Sequence, residues 1–146
     1  MIYTDKTKMA MRIAYRAHKS QKDKSGMPYI FHPIIVAEQM QDEKTTCAAL
    51  LHDVAEDTDI TIDELAGCGF DGDVIDALRL LTHDLSVPYL EYIERMKDDS
   101  IARKVKLADL RHNSDTARLD VIDDEEIERL ERYRRAIEIL SEEEKI

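Results

Sequence analysis

The chain has 146 residues, of which 43% are hydrophobic, and a formal net charge of −11. This length suits one domain with a substantial core, and the hydrophobic share argues against disorder. The charge argues against general binding to nucleic-acid polymers or anionic membranes, and no run approaches the roughly 18 apolar residues of a membrane span.

In chain order, Met1-Ile2-Tyr3-Thr4-Asp5-Lys6 lacks the apolar stretch of a signal peptide, so a cytoplasmic protein is expected. Thr4 can cap a first helix running to about residue 19, with Met9, Ile13 and Ala17 on its buried stripe and His18 at its end. Lys6 to Lys24 holds seven Lys or Arg and one acid, Asp23, whereas from Asp120 onward acids outnumber bases eleven to five. A small anionic ligand could be met by the basic segment; the alternative is an ordinary charged helix face. Residues 20–29 form a loop punctuated by Ser25-Gly26-Met27-Pro28. Pro33 suits the first turn of a second helix over residues 34–41 and leaves His32 extended at its mouth.

Asp42 can cap a central helix over residues 43–56. Cys47 lies in its apolar run and Cys68 between two glycines, which argues against a disulfide framework or zinc knuckle. Thr61 to Glu64 has the spacing of a capping box, opening a short helix that Gly67 and Gly69 end. Asp71 or Asp73 starts another, with Val74, Leu78 and Leu81 on one stripe. Pro88 opens a helix to about residue 97, and Asp99 or Ser100 caps a long one to about residue 119. Asp123 or Asp124 starts the last, with Ile127, Leu130, Ile137 and Leu140 inward. No strand alternation and no repeat are evident, so residues 1–146 read as a single all-α domain of about seven or eight helices.

Two polar stripes interrupt this apolar pattern. The central helix ends in His52-Asp53-Val54-Ala55-Glu56-Asp57, where residues four apart share a face, so His52 lies over Glu56 and Asp53 over Asp57. Gathering an imidazole and three carboxylates in an interior is costly unless a cation or protons offset the charge; a solvated, carboxylate-rich helix end is the alternative. In the later helix the row through Ala102 and Val105 continues into Asp109, His112, Asn113 and Thr116. An inward Asp there calls for a cation, a ligand or hydrogen bonds from neighbouring helix ends. His32, His52, Asp53 and Asp109, from three helices or their starts, form a candidate set of nitrogen and oxygen ligands for Mn²⁺, Fe²⁺ or Zn²⁺. Glu56 and Asp57, one turn on, could then handle an attacking water.

These residues resemble the HD-domain superfamily of metal-dependent phosphohydrolases, and more closely the hydrolase domain of RelA/SpoT-type alarmone enzymes and their small stand-alone relatives. The segments that carry the resemblance are Ala14-Tyr15-Arg16-Ala17-His18, Ser25-Gly26-Met27-Pro28-Tyr29-Ile30-Phe31-His32-Pro33, His52-Asp53-Val54-Ala55-Glu56-Asp57-Thr58 and Lys106-Leu107-Ala108-Asp109-Leu110-Arg111-His112-Asn113. The resemblance implies an HD-type helical bundle with one Mn²⁺ on His32, His52, Asp53 and Asp109. It implies Glu56 and Asp57 as the catalytic pair acting on the 3′-pyrophosphate of guanosine tetra- or pentaphosphate. Lys24, Ser25, Asn113 and Thr116 match positions that contact the nucleotide. No synthetase segment is recognised, so alarmone synthesis is not implied. Asp23 departs from the family, standing where an Arg packs on the base, and Asp23→Arg is expected to tighten alarmone binding. Leu110-Arg111 inverts the usual order after Asp109, and Asp115 is acidic where a base is frequent. A phosphohydrolase for another nucleotide, such as an NADPH-type 2′-phosphate, and a non-catalytic nucleotide sensor are the other readings. His18 and His112 could brace the pocket from behind, and His83 suits surface or packing duty.

Overall fold

The structure is a computed structural model that describes residues 1–142. Nine α-helical segments occur among the described residues: α1 (Asp5–His18), α2 (Phe31–Glu38), α3 (Glu43–Leu51), α4 (Val54–Asp57), α5 (Ile62–Ala66), α6 (Gly72–Leu81), α7 (Tyr89–Met96), α8 (Ser100–Asn113) and α9 (Asp124–Ser141). Segments α3 and α4 are two parts of one interrupted helix, which leaves eight. The all-α expectation agrees with this: no strand forms among the described residues, only an isolated bridge between Lys22 and Pro28. No described helix is long and apolar enough to cross a membrane.

Helix α3 is the centre of the bundle because every residue from Thr45 to Leu51 is buried. It packs against α1, α2, α6 and α8, while α9 closes the bundle against α7 and α8. Small side chains make this possible: Ala48 and Ala49 let neighbouring helices approach on faces where a larger residue would hold them apart. The N-termini follow their caps. Thr4 and Thr7 form a reciprocal capping box, as do Thr61 and Glu64, and Asp42, Asp99 and Asp123 each accept a backbone N–H of the first turn.

Several elements differ from the sequence reading. In α1 the deeply buried row is Thr7, Ala10, Ala14 and His18, while Met9, Ile13 and Ala17 flank it half-buried. Small residues take the row nearest α3, and the longer ones reach in from its edges. Helix α2 starts at Phe31, so His32 is helical rather than extended. Pro33 is tolerated because the first-turn amides of a helix need no intrahelical partner.

The central helix breaks at His52 and Asp53, where Asp53 has φ −102° and ψ −2°. Helix α8 stops at Asn113 instead of reaching residue 119. Arg118 folds back, its Nε donating to the His112 carbonyl at 2.9 Å, and Asp115 accepts the Ala117 amide at 3.0 Å to start a short 3₁₀ turn over Thr116–Arg118. On α9, Ile127 is exposed rather than inward; Ala136 and Leu140 are the core positions, with Leu130 and Ile137 half-buried.

A candidate metal centre at the floor of a cationic cavity

Four buried side chains from α2, α8 and the α3–α4 break converge. One ligand atom from each of His32, His52, Asp53 and Asp109 lies within 4.8 Å of all the others. Asp109 Oδ1 is 2.7 Å from His32 Nε2 and 3.3 Å from His52 Nε2, and Asp53 Oδ2 is 3.1 Å from His52 Nε2. His52 and Asp53 lie at the break after α3, where Asp53 takes φ −102° and ψ −2°, and both side chains reach the cluster.

Each of these groups is also held from behind. His52 Nδ1 lies 2.5 Å from the Ala49 carbonyl, which can only accept, so Nδ1 carries a proton and Nε2 faces the carboxylates. The Tyr29 hydroxyl donates to Asp53 Oδ2 at 2.5 Å. Asp109 Oδ2 accepts from Lys106 at 2.9 Å and its Oδ1 from Asn113 Nδ2 at 3.1 Å. His32 Nδ1 is 2.6 Å from His112 Nδ1.

The electrostatics suit a cation. Burial alone would raise the Asp109 carboxyl, but the Lys106 charge and the hydrogen bonds from His32 and His52 hold it well below the usual carboxylate range. Asp53 likewise overcomes its burial through His52 and falls to about 2. Burial should lower His52, yet Asp53 and Asp109 draw it well above its ordinary value, the mark of strongly negative potential at Nε2. Two imidazole nitrogens and two carboxylates without thiolate fit a divalent cation of the Mn²⁺, Fe²⁺ or Zn²⁺ type.

Lys106 is the less expected component. Its ammonium lies over the Tyr92 ring, 5.4 Å from the centroid, and it stays charged because Asp109 outweighs its burial. Lys106→Met leaves the buried Asp109 without its cation, so the metal-free variant should lose about 3–5 kcal/mol of stability. Added Mn²⁺ should narrow that gap by supplying positive charge at the same carboxylate. Melting curves of both proteins with and without Mn²⁺ test this; equal midpoints in metal-free buffer would remove the role given to Lys106.

Glu56 and Asp57 sit at the open end of α4 with exposed side chains. The His83 amide donates to Glu56 Oε1 at 3.0 Å, and the Tyr29 hydroxyl lies 3.5 Å from Asp57 Oδ2. Partial desolvation and then the Asp53 charge raise both carboxyls above their ordinary range. The His83 ring packs, stacking on Tyr92 at 4.4 Å. His18 Nδ1 donates to the Gln21 amide oxygen at 2.8 Å, and Gln21 Nε2 donates to the Asp57 carbonyl at 2.9 Å, tying α1 to α4.

His32 also lines a cavity of about 620 Å³, within the usual range for small-ligand sites. Lys22, Lys24, Arg118 and Arg129 face it against Asp23 and Glu126, a cationic excess in a chain of net charge −11. Of the expected nucleotide contacts, Lys24, Ser25 and Asn113 line it. Thr116 does not: α8 ends before it, and it lies exposed on the 3₁₀ turn. Lys24 pairs with Glu126, which also accepts from Arg129 Nη1 at 2.6 Å. Ser25 Oγ donates to the Arg118 carbonyl at 3.1 Å.

Asp23 does not aim its charge freely at the cavity, because one carboxylate oxygen accepts the amides of Ser25 at 2.9 Å and Met27 at 3.0 Å. Arg118, Arg129 and Tyr133 were not singled out in the sequence. The i, i+4 spacing of Arg129 and Tyr133 on one helix face was the available signal.

Comparison with known proteins gives a consistent picture. A family model described as HD domain matches residues 10–112. The human guanosine-3′,5′-bis(diphosphate) 3′-pyrophosphohydrolase MESH1 is 39% identical over 117 residues, covering 71% of this chain and 65% of that protein. The enzyme of the same name from Borreliella burgdorferi is 37% identical over 122 residues, covering 73% of this chain but 18% of its own length. A putative GTP diphosphokinase, RSH1, from Oryza sativa is 34% identical over 106 residues, covering 70% of this chain and 12% of its own. The chain thus spans less than a fifth of the long relatives it matches. A solved structure described as a metazoan ortholog of SpoT that hydrolyzes ppGpp superposes with a TM-score of 0.77 at 25% identity, covering 97% of this chain and 89% of that one.

Proposed function

The chain belongs to the HD-domain family, and from that membership we propose that it is a Mn²⁺-dependent hydrolase removing the 3′-pyrophosphate of guanosine tetra- or pentaphosphate. The observation that carries this reading is the convergence of His32, His52, Asp53 and Asp109 beside a nucleotide-sized cationic cavity. It is supported by relatives and a structural neighbour whose names or titles specify ppGpp hydrolysis.

His32, His52, Asp53 and Asp109 would hold the cation, which would supply Lewis-acid polarisation of the phosphoryl group. The other steps fall to side chains. Lys22, Lys24, Arg118 and Arg129 bind the phosphates, with Lys24 and Arg129 exchanging Glu126 for a more highly charged partner. Glu56, held by the His83 amide, and Asp57 take the proton of the attacking water. The water oxygen bonds to the phosphorus next to the ribose, the bond from that phosphorus to O3′ breaks, and O3′ takes a proton as pyrophosphate leaves.

The test is to incubate the protein and Mn²⁺ with a panel of phosphorylated nucleotides and identify the products. Pyrophosphate from guanosine 3′,5′-bis(diphosphate) is the expected result. Single-phosphate release from an NADPH-type 2′-phosphate, with the alarmone untouched, would overturn the substrate. Binding of nucleotides without turnover of any would make the chain a sensor.

The bonded Asp23 carboxylate changes what its substitution should do. Asp23→Asn keeps an oxygen for the Ser25 and Met27 amides and removes the charge, so KM for the alarmone should fall on the order of fivefold with kcat unchanged. Asp23→Arg loses that acceptor and loosens the loop carrying Lys24 and Ser25, so KM should rise instead of fall. A KM for Asp23→Asn equal to the parent's would mean the carboxylate is not felt by the substrate.

A further inference from the structure

Both histidines of the metal cluster must present an Nε2 lone pair, and each therefore needs its proton held on Nδ1. For His52 the Ala49 carbonyl does this. His32 has no such carbonyl: its Nδ1 meets His112 Nδ1 at 2.6 Å. The two rings lie within 16° of coplanar with centroids 4.9 Å apart. Because the nitrogens are so much closer than the centroids, the rings meet edge to edge in nearly one plane. This is an in-line hydrogen bond, and one proton sits between two ring nitrogens.

We propose that His112 is a positioning residue: its Nδ1 accepts the Nδ1 proton of His32 and so fixes His32 in the tautomer that offers Nε2 to a divalent cation. This rests on the metal-site reading above. His112 is then neutral and carries its own proton on Nε2.

The placement follows from the spacing on α8. Asp109, His112 and Asn113 stand at i, i+3 and i+4, so one helix face supplies a cluster carboxylate, the amide that donates to it at 3.1 Å and the ring that braces His32. The bracing ring is itself anchored, since Arg118 Nε donates to the His112 carbonyl at 2.9 Å and pins the last turn of α8. Partners that orient a metal-ligating histidine in this way typically carry about 10–100-fold in metal affinity.

Two variants separate this role from simple packing. His112→Phe keeps an aromatic ring of similar size without an acceptor, whereas His112→Asn places an amide oxygen near the position of Nδ1. Calorimetric titration of the full chain with Mn²⁺ alone should show His112→Phe binding about 10–100-fold more weakly than the parent, and His112→Asn within roughly threefold of it. Long-range ¹H–¹⁵N correlation of the Zn²⁺-loaded parent should show His32 protonated on Nδ1 and His112 on Nε2. That spectrum decides the matter even if His112→Phe fails to fold.

Parent-like Mn²⁺ affinity in His112→Phe, loss of affinity in His112→Asn equal to that in His112→Phe, or a Zn²⁺-loaded parent with His112 protonated on Nδ1 would each overturn the inference while leaving the metal site standing. A parent that binds no Mn²⁺ at all would overturn the metal-site reading and this inference with it.

Discussion

Asp109→Ala should abolish stoichiometric Mn²⁺ binding and, with it, turnover. Asp109 Oδ1 lies within 3.3 Å of both cluster imidazole nitrogens, so its loss removes a ligand and half of the carboxylate charge together. The variant should also be less stable. Lys106 would be left buried without its anion, at a cost of about 3–5 kcal/mol. Loss of metal could then be mistaken for loss of fold, and two controls separate them. Asp109→Asn keeps an oxygen for Lys106 and removes the charge, while the double variant Asp109→Ala, Lys106→Met removes both members of the ion pair. Both should fold better than Asp109→Ala and still hold no metal at stoichiometric concentrations. Metal content after gel filtration, read beside a melting curve, decides it. One tightly held Mn²⁺ per chain in Asp109→Ala would mean that the ligand set is wrong.

The residues of this centre were legible in the sequence because they break a pattern. Asp109 interrupts an apolar row that Ala102 and Val105 establish, and His52 and Asp53 end a run of small apolar residues; all three are buried in the structure. Helix starts were legible for a similar reason, since Thr4, Asp42, Thr61, Asp99 and Asp123 act as caps through strictly local hydrogen bonds.

What remained hidden depends on contacts distant in sequence or on small backbone departures. The stop of α8 at Asn113 is made by Arg118 folding back, and it takes Thr116 out of the row that helical periodicity assigned it. Lys106 would pass for a surface lysine until Asp109, three residues on, is seen to be buried and paired with it. Arg129 and Tyr133 share a face of α9 by their i, i+4 spacing, but they reach the cavity because α9 packs back against α8, which that spacing does not announce. The break at Asp53 has no proline or glycine to mark it; φ −102° and ψ −2° at that one residue are enough to interrupt the helix.

Glu56→Gln should lower kcat by roughly 10²–10⁴-fold, the usual contribution of a general base, with Mn²⁺ affinity unchanged. The substitution isolates the proton-accepting role. Gln keeps a side-chain oxygen for the His83 amide, now 3.0 Å from Glu56 Oε1, so the side chain stays where it is while its basicity is lost. Glu56 is outside the four-residue cluster, so metal content should match the parent. Asp57→Asn is the necessary companion. Asp57 Oδ2 lies 3.5 Å from the Tyr29 hydroxyl, which also donates to Asp53, so this variant can disturb an orienting contact as well as a base.

The pH profile separates the two carboxyls. A base works only when deprotonated, so kcat of the parent should climb with pH through the raised ionisation of that group and then level off. If Glu56 is the base, that acid limb disappears in Glu56→Gln and survives in Asp57→Asn. If Asp57 is the base, the pattern reverses, and Glu56 acts by holding the water in line. Activity of Glu56→Gln within about twofold of the parent, at every pH, would remove Glu56 from the mechanism.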